Sequence, residues 1–189
     1  MDEIEQIRSL DLSVKPGMER MRDLFLIGCF TGLRFSDFSQ IKQASIVTMG
    51  ENRFISLRTI KTGIRVVIPL NNAVEEILNR YNGGIPEIYT NQGMNRILKR
   101  IGKLAGLDEP VIIRENRKGI SYKLTLPKYE LISSHTARRS FATNAYLSGV
   151  PSISNMRITG HRTEKAFMQY IKVSQEENAI QLAGHSFFR

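Results

Sequence analysis

The apolar residues of this 189-residue chain keep a helical spacing almost throughout and abandon it in one block. From Arg53 to Thr59 (RFISLRT) and from Ile64 to Leu70 (IRVVIPL) the residues are β-branched and apolar, with GEN ahead of the first run and KTG between the two. That pattern predicts a small antiparallel sheet with a tight turn at Lys61, Thr62 and Gly63. On both sides the spacing returns to that of helices. The fold class is therefore mainly α with a small antiparallel β-sheet (α+β), and because the sheet is local a doubly wound architecture is excluded.

The helical stretches can be bounded from their punctuation. Glu3 to Leu10 predicts a short helix, and Pro16 suits the first turn of a second, in which Met18, Met21, Leu24, Phe25 and Cys29 share a face and Gly32 marks the stop. A short helix from about Phe35 to Ile41 carries Asp37, read as structural, holding the helix end or orienting Arg34. Further helices are expected over Ala73–Tyr81 and Gln92–Ala105. The latter places Ile97, Leu98, Ile101 and Leu104 on one side and Arg96, Lys99, Arg100 and Lys103 largely on the other. Val111 to Leu126 reads as irregular strand or loop. The remainder is helical: His135–Leu147 before Gly149, Ser152–Ile158 before Gly160, then about Glu164–Ile171 and Gln175–Leu182.

Charge narrows the partners. The formal net charge is +9, and from Arg96 to Arg139 eleven Lys and Arg face four acids, a net of +7 in 44 residues. A basic surface favours polyanions through phosphate neutralisation and counterion release. The single cysteine, Cys29, lies in the apolar run DLFLIGCF and reads as a packed small hydrophobe. It excludes an intramolecular disulfide and a cysteine-based metal site. No run is long and apolar enough for a membrane span, and MDEIEQIRSL does not read as a signal peptide, so a cytoplasmic protein with no membrane partner is expected. With 41% hydrophobic residues the chain can fill one substantial core. The expectation is a single domain over residues 1–189, its core at about 12–172 and residues 173–189 forming a tail helix.

Few residues carry chemistry, and singly they say little. His135 precedes Arg138 by three residues on a predicted helix, so both can share a face, a spacing that many helices show by chance. His161 follows Gly160 at a helix boundary. In chain order, however, the blocks run TGLRFSD with Arg34, IKTG with Lys61, HTARRSFAT with His135 and Arg138, TGH with His161, and FMQYIKV with Tyr170 nine residues later. This ordered set resembles the catalytic domain of the tyrosine recombinases, the phage integrase family, from about residue 17 to 172. The departures are Ala137 where Leu is common, Arg139 where His is common and Thr159 where Leu is common. None falls on the six matched positions.

The resemblance implies the roles, and the residue types make chemical sense of them. Breaking a phosphodiester without metal requires charge to be offset on the non-bridging oxygens. Two forked, permanently charged guanidiniums do this, and the resemblance assigns the task to Arg34 and Arg138. The phenolic oxygen of Tyr170 would be the nucleophile, given a partner to take its proton, because its free pKa lies near 10. By the same resemblance His135 helps that proton transfer, His161 hydrogen-bonds the phosphate, and Lys61 at a hairpin tip protonates the departing 5′ oxygen. A 3′-phosphotyrosyl intermediate would follow, resealed by a 5′ hydroxyl, with no cofactor, ATP or metal.

The implied function is a site-specific DNA recombinase catalytic domain serving DNA integration or excision, cytoplasmic and nucleoid-associated when acting. The alternatives are a type IB topoisomerase-like nicking and resealing enzyme and a non-catalytic DNA-binding homologue. Double-stranded DNA is the expected partner, with Arg96, Lys99, Arg100, Lys103 and Arg139 as further DNA contacts. The chain is expected to be a monomer alone and a tetramer on DNA through its C-terminal tail, and to lack the N-terminal core-binding (DNA-clamping) domain usual in the family. Whether Tyr170, on a short helix beside that tail, is docked without DNA is left open by the sequence.

Overall fold

The computed structural model describes residues 2–87, 90–117, 120–171 and 173–188. Nine α-helices are ordered among them as α1 (Asp2–Arg8), α2 (Pro16–Thr31), α3 (Phe35–Phe38), α4 (Asn72–Arg80), α5 (Asn91–Leu104), α6 (Ser134–Leu147), α7 (Ser152–Thr159), α8 (Glu164–Ile171) and α9 (Gln175–Ala183). Between α3 and α4 lies a three-stranded antiparallel sheet in the order β1 (Ile46–Met49), β2 (Asn52–Arg58), β3 (Arg65–Pro69). Strands β4 (Pro110–Arg117) and β5 (Ile120–Pro127) pair with each other between α5 and α6. The solved fold is the expected mainly α architecture with small antiparallel sheets.

Helix α2 is the axis of the molecule. Pro16 opens it, and Gly32 closes it at φ 65° with its N–H on Gly28 O, a left-handed cap that a residue with a Cβ adopts only with strain. Met18, Met21, Leu24, Phe25 and Cys29 are buried as their spacing predicts, and so are Leu26 and Ile27, because α2 is covered by α1, α4, α5 and α6. Two charged residues are buried with it. Arg22 Nε donates to Asp23 Oδ1 at 3.0 Å, while Arg80 Nη1 (2.8 Å) and the Tyr81 hydroxyl (3.0 Å) donate to Asp23 Oδ2. Pairing of this kind is what lets charge be buried at all, and hydrophobic spacing gives no notice of it.

The crossing of α2 and α6 is tight. A Cβ added to Gly28 would lie 2.9 Å from that of Ala137, and one on Gly32 would lie 2.3 Å from the Phe141 ring. Ala137, where the resembling family commonly has Leu, is fully buried against this small-residue seam.

Four expectations are corrected. Helix α3 ends at Phe38, not Ile41, and a third strand, β1, joins the predicted hairpin; its run IVTM is too short to show alternation. Leu104 is not on the inner face of α5 but half exposed, at 50%. There the helix ends, and Gly102 instead faces inward, where a Cβ would meet Ile132 at 2.4 Å. Finally, residues 110–127 are not irregular. β4 and β5 form a continuous antiparallel ladder from Pro110↔Pro127 to Arg117↔Ile120, with Lys118 and Gly119 outside the described residues. Charges interleaved on the exposed face, such as Arg114 opposite Lys123, hide the alternation of Val111 and Ile113 with Leu124 and Leu126.

Two apolar clusters result. The larger runs from Ile4 to Ala137 and takes in α2, the sheet residues Ile55, Val66 and Ile68, and Met94, Leu98 and Ile101 of α5. The smaller consists of Ala142, Met156, Phe167 and Ile171, with Tyr146, Tyr170 and Val173 packed against it. Helix α6 contributes to both.

Candidate active site

Helix α6 begins on a capping box. The Ser133 side chain accepts from Thr136 N, and Thr136 Oγ1 accepts from Ser133 N at 3.1 Å. Its first turns then project His135, Arg138 and Arg139 toward residues from three other segments. Arg138 is buried, and its Nη1 donates to Gly32 O at 2.6 Å, so the glycine that ends α2 also anchors this guanidinium. Burial and then the neighbouring Arg34 pull Arg138 down to about 10, a shift opposed by Tyr170 and Asp37. It stays charged at neutral pH.

Arg34 follows the same glycine in extended backbone (φ −73°, ψ 158°) at the start of α3. Its Nη1 lies 3.9 Å from Asp37 Oδ2. Asp37 is fully buried, and its other oxygen accepts the Ile60 N–H at 2.8 Å. One carboxylate thus holds the β2–β3 connection through one oxygen and faces Arg34 with the other, which makes no hydrogen bond among the described residues; this fits the structural reading of Asp37. Arg34, Phe35, Ser36, Asn91, Ser134, His135 and Arg138 line a cavity of about 300 Å³.

Tyr170 is docked. Its ring lies 5.5 Å from His135 edge-on (76°) and 4.7 Å from His161, centroid to centroid, and the Arg139 guanidinium sits 5.4 Å above it. The hydroxyl is buried without a hydrogen-bond partner among the described residues. Burial raises its pKa, and Arg138, Arg139 and Arg34 oppose that rise. Both histidines are pulled below their usual value: His135 by burial and then Arg139, Arg138 and Arg34; His161 by burial and then Arg138, Arg34 and His135. His161 follows Gly160, which caps α7 at φ 67°, and its Nδ1 lies 2.8 Å from Thr159 Oγ1. A Cβ built on Gly160 would stand 3.9 Å from both terminal nitrogens of Arg34, so this turn and the first arginine are neighbours.

Five of the six matched residues, Arg34, His135, Arg138, His161 and Tyr170, therefore meet in one place. Lys61 does not join them by any hydrogen bond or ion pair among the described residues. It is exposed in a turn closed by Gly63 N on Thr59 O (2.8 Å) and by the Thr59 and Thr62 hydroxyls at 2.7 Å. The basic residues divide as well. On α5, Arg96 and Arg100 are exposed, Lys99 pairs with Glu130 at 3.1 Å, and Lys103 lies 5.7 Å over the Tyr129 ring. Arg139 is apart from that face, against the tyrosine. Among the described residues no group of His, Cys, Asp and Glu is arranged to hold a metal ion, and no helix is long and apolar enough to cross a membrane. Sequence reading missed the orienting contacts: Gly32 O on Arg138, Asp37 on Ile60, and Thr159 on His161.

No protein-family model matches the sequence, and no curated protein is significantly similar to it. Solved structures are similar in fold. The XerH site-specific recombinase bound to its palindromic difH substrate, in a post-cleavage complex, superimposes with a TM-score of 0.64 at 18% identity, over 96% of this chain and 50% of that one. The XerA recombinase gives 0.64 at 16% identity, over 98% and 63%. A lambda integrase tetramer bound to a Holliday junction gives 0.58 at 19% identity, over 89% and 46%. The chain thus has the fold of a tyrosine recombinase catalytic domain, and it spans about half the length of the XerH chain it matches.

Proposed function

We propose that a chain with this fold works as the catalytic domain of a site-specific tyrosine recombinase, cleaving and rejoining DNA through a 3′-phosphotyrosyl link. The observation that carries this is the meeting of Arg34, His135, Arg138 and His161 around the buried hydroxyl of Tyr170, from segments spread over more than a hundred residues.

The steps follow from the site. Arg34 and Arg138 bracket the scissile phosphate and offset the charge that grows on its non-bridging oxygens, with Gly32 O anchoring Arg138 and the Asp37 carboxylate lying 3.9 Å from Arg34. Tyr170 attacks phosphorus as its proton passes to His135. That histidine is mostly neutral at pH 7, because its pKa is lowered, and so is ready to accept. His161 contacts the phosphate. The departing 5′ oxygen takes its proton from Lys61 once bound DNA draws the β2–β3 turn over the site. The phosphotyrosyl bond keeps the energy for resealing, so a 5′ hydroxyl from a second strand completes the exchange without an external energy source.

Double-stranded DNA as partner is supported by the +9 charge and by the exposed Arg96 and Arg100 of α5, with Lys99, Lys103 and Arg139 as secondary contacts. Binding should then weaken steeply with salt. The protein acts where the chromosome is, in the nucleoid of the cytoplasm. Residues from about 12 to 172 form the catalytic unit, and α9 is the assembly element of a tetramer on DNA. Helix α9 rests on its own domain through the Tyr146 hydroxyl on Asn178 Oδ1 (3.1 Å) and Gln181 Nε2 on Tyr146 O (2.7 Å). It buries no side chain, leaving Ile180 and Leu182 exposed, with Phe187 and Phe188 beyond it. Without DNA the protein is a monomer.

A nicked suicide duplex carrying the natural recombination ends tests the reading. A covalent protein–DNA complex should form without metal and vanish in Tyr170→Phe. Absence of a trapped complex on any such duplex overturns it. A complex accompanied by relaxation of supercoiled plasmid but no strand exchange would shift the assignment to a topoisomerase.

A further inference from the structure

Thr159 is the last residue of α7, fully buried, and its hydroxyl oxygen stands 2.8 Å from two atoms: the carbonyl oxygen of Asn155 and Nδ1 of His161. A hydroxyl has one proton to give, and a carbonyl can only accept. If the proton went to Nδ1, the hydroxyl and carbonyl oxygens would face each other at 2.8 Å with lone pairs opposed and nothing between them. The arrangement that satisfies both contacts is a chain in which His161 Nδ1–H donates to Thr159 Oγ1 and Thr159 Oγ1–H donates to Asn155 O. Gly160, at φ 67°, folds the backbone so that residues 159 and 161 can meet in this way.

From this we infer that Thr159 is a positioning residue that fixes the proton of neutral His161 on Nδ1, so that His161 can donate from Nε2 to a phosphate oxygen only when it carries both protons. The Leu expected at this position from the family resemblance has no hydroxyl with which to do so; this device belongs to Thr159. The consequence for the reaction rests on the recombinase reading, but the tautomer does not. The groups facing His161 are Arg138 and His135 from α6, Arg34 from the start of α3, and Phe167 (rings 5.5 Å apart) and Tyr170 from α8. The three arginine and histidine neighbours disfavour the imidazolium. A bound phosphate oxygen would favour it, so protonation of His161 and occupation of the anion site are coupled.

The test needs no DNA at its first stage. The chain has three histidines, and an H161N variant assigns the resonances of this one. In ¹⁵N-imidazole NMR, neutral His161 should be protonated on Nδ1 in the wild type and in T159S, and should gain the Nε2–H form in T159V. Sulfate, a tetrahedral anion that does not titrate in this range, serves as the ligand probe. Its affinity for the wild type should fall roughly tenfold or more as pH rises through the His161 titration, and much less for T159V, whose neutral ring can still donate. With a suicide duplex, the alkaline limb of the pH–cleavage profile should be present in the wild type and T159S and flattened in T159V. An Nε2–H form in the wild type, or a T159S that behaves as T159V, overturns the inference, and the wild-type tautomer decides even if T159V does not fold. A confirmed tautomer with no covalent complex on DNA would keep the role of Thr159 and sink the recombinase reading instead.

Discussion

The two halves of the candidate site rest on unequal foundations. Arg34 and Arg138 stand on the large apolar cluster, beside the end of α2, where Gly32, Asp37 and the α2–α6 seam hold each guanidinium. Tyr170 and His161 stand on the small one, a cluster whose buried members are Ala142, Met156, Phe167 and Ile171. The half that carries the two arginines is thus built like a protein core. The half that carries Tyr170 is a short α7–α8 pair packed on α6. On the proposed function, a site divided in this way would hold the phosphate rigidly and still let Tyr170 move, because local opening costs least where few apolar contacts are made.

The largest effect should come from removing the one large, fully buried ring of the small cluster. Phe167→Ala deletes a side chain on which α8 and the His161 ring both pack, at a cost of about 3–5 kcal/mol. Hydrogen exchange should then show α8 amides unprotected while those of α2 remain protected, and phosphotyrosyl formation should be lost. If protection in α2 and α8 falls together, the two clusters are one cooperative unit and the comparison fails. Next is the seam of the large half. Gly28→Ala forces a methyl to 2.9 Å from that of Ala137, and overpacking of this kind costs about 1–3 kcal/mol. A lowered denaturation midpoint should appear, together with weaker anion binding, because the shift of α6 carries Arg138 with it.

A smaller effect is expected at the contact between the halves. Arg139 reaches from α6 over the Tyr170 ring, and cation–π contacts are worth about 0.5–2 kcal/mol. Arg139→Ala should slow formation of the covalent complex roughly several-fold and move the Tyr170 titration upward, since one of the charges opposing its rise is gone. Arg139→Lys should restore part of the rate. An unchanged titration would leave Arg139 as a DNA contact only.

The smallest effect is in acid. His135 and His161 are both lowered in the folded protein, so the unfolded chain binds their protons first as pH falls. The stability they confer is complete above the ordinary histidine value of about 6.5 and is lost as pH falls through their folded values. Thermal melts should therefore show a lower midpoint at acid than at neutral pH. Sulfate should oppose that decline by binding the protonated form.

Much of this was legible in residue order, for reasons that differ from element to element. Helix ends marked by Pro16, Gly32 and Gly160 fall where expected, because proline and left-handed glycine act through their own backbone, whatever surrounds them. The β2–β3 hairpin shows because alternation and turn residues are local. The ladder of β4 and β5 does not, because charged residues share its exposed face. Leu104 looks like core until Gly102 takes the inward place, a matter of close packing against Ile132 that periodicity cannot register.

Sequence by itself determined which side chains are available for the chemistry: two guanidiniums, two imidazoles and a phenol in a set order, since chemical type is a property of the residue. Tertiary structure alone decided that Tyr170 is docked, that Arg138 leans on Gly32, and that the Thr159 hydroxyl meets Nδ1 of His161. Two of these contacts join segments far apart in the chain and the third crosses a single left-handed turn, and a linear order of residues contains none of those distances. Lys61 is the reminder of that difference, matched in the sequence yet exposed in the fold, with no hydrogen bond or ion pair to the site among the described residues.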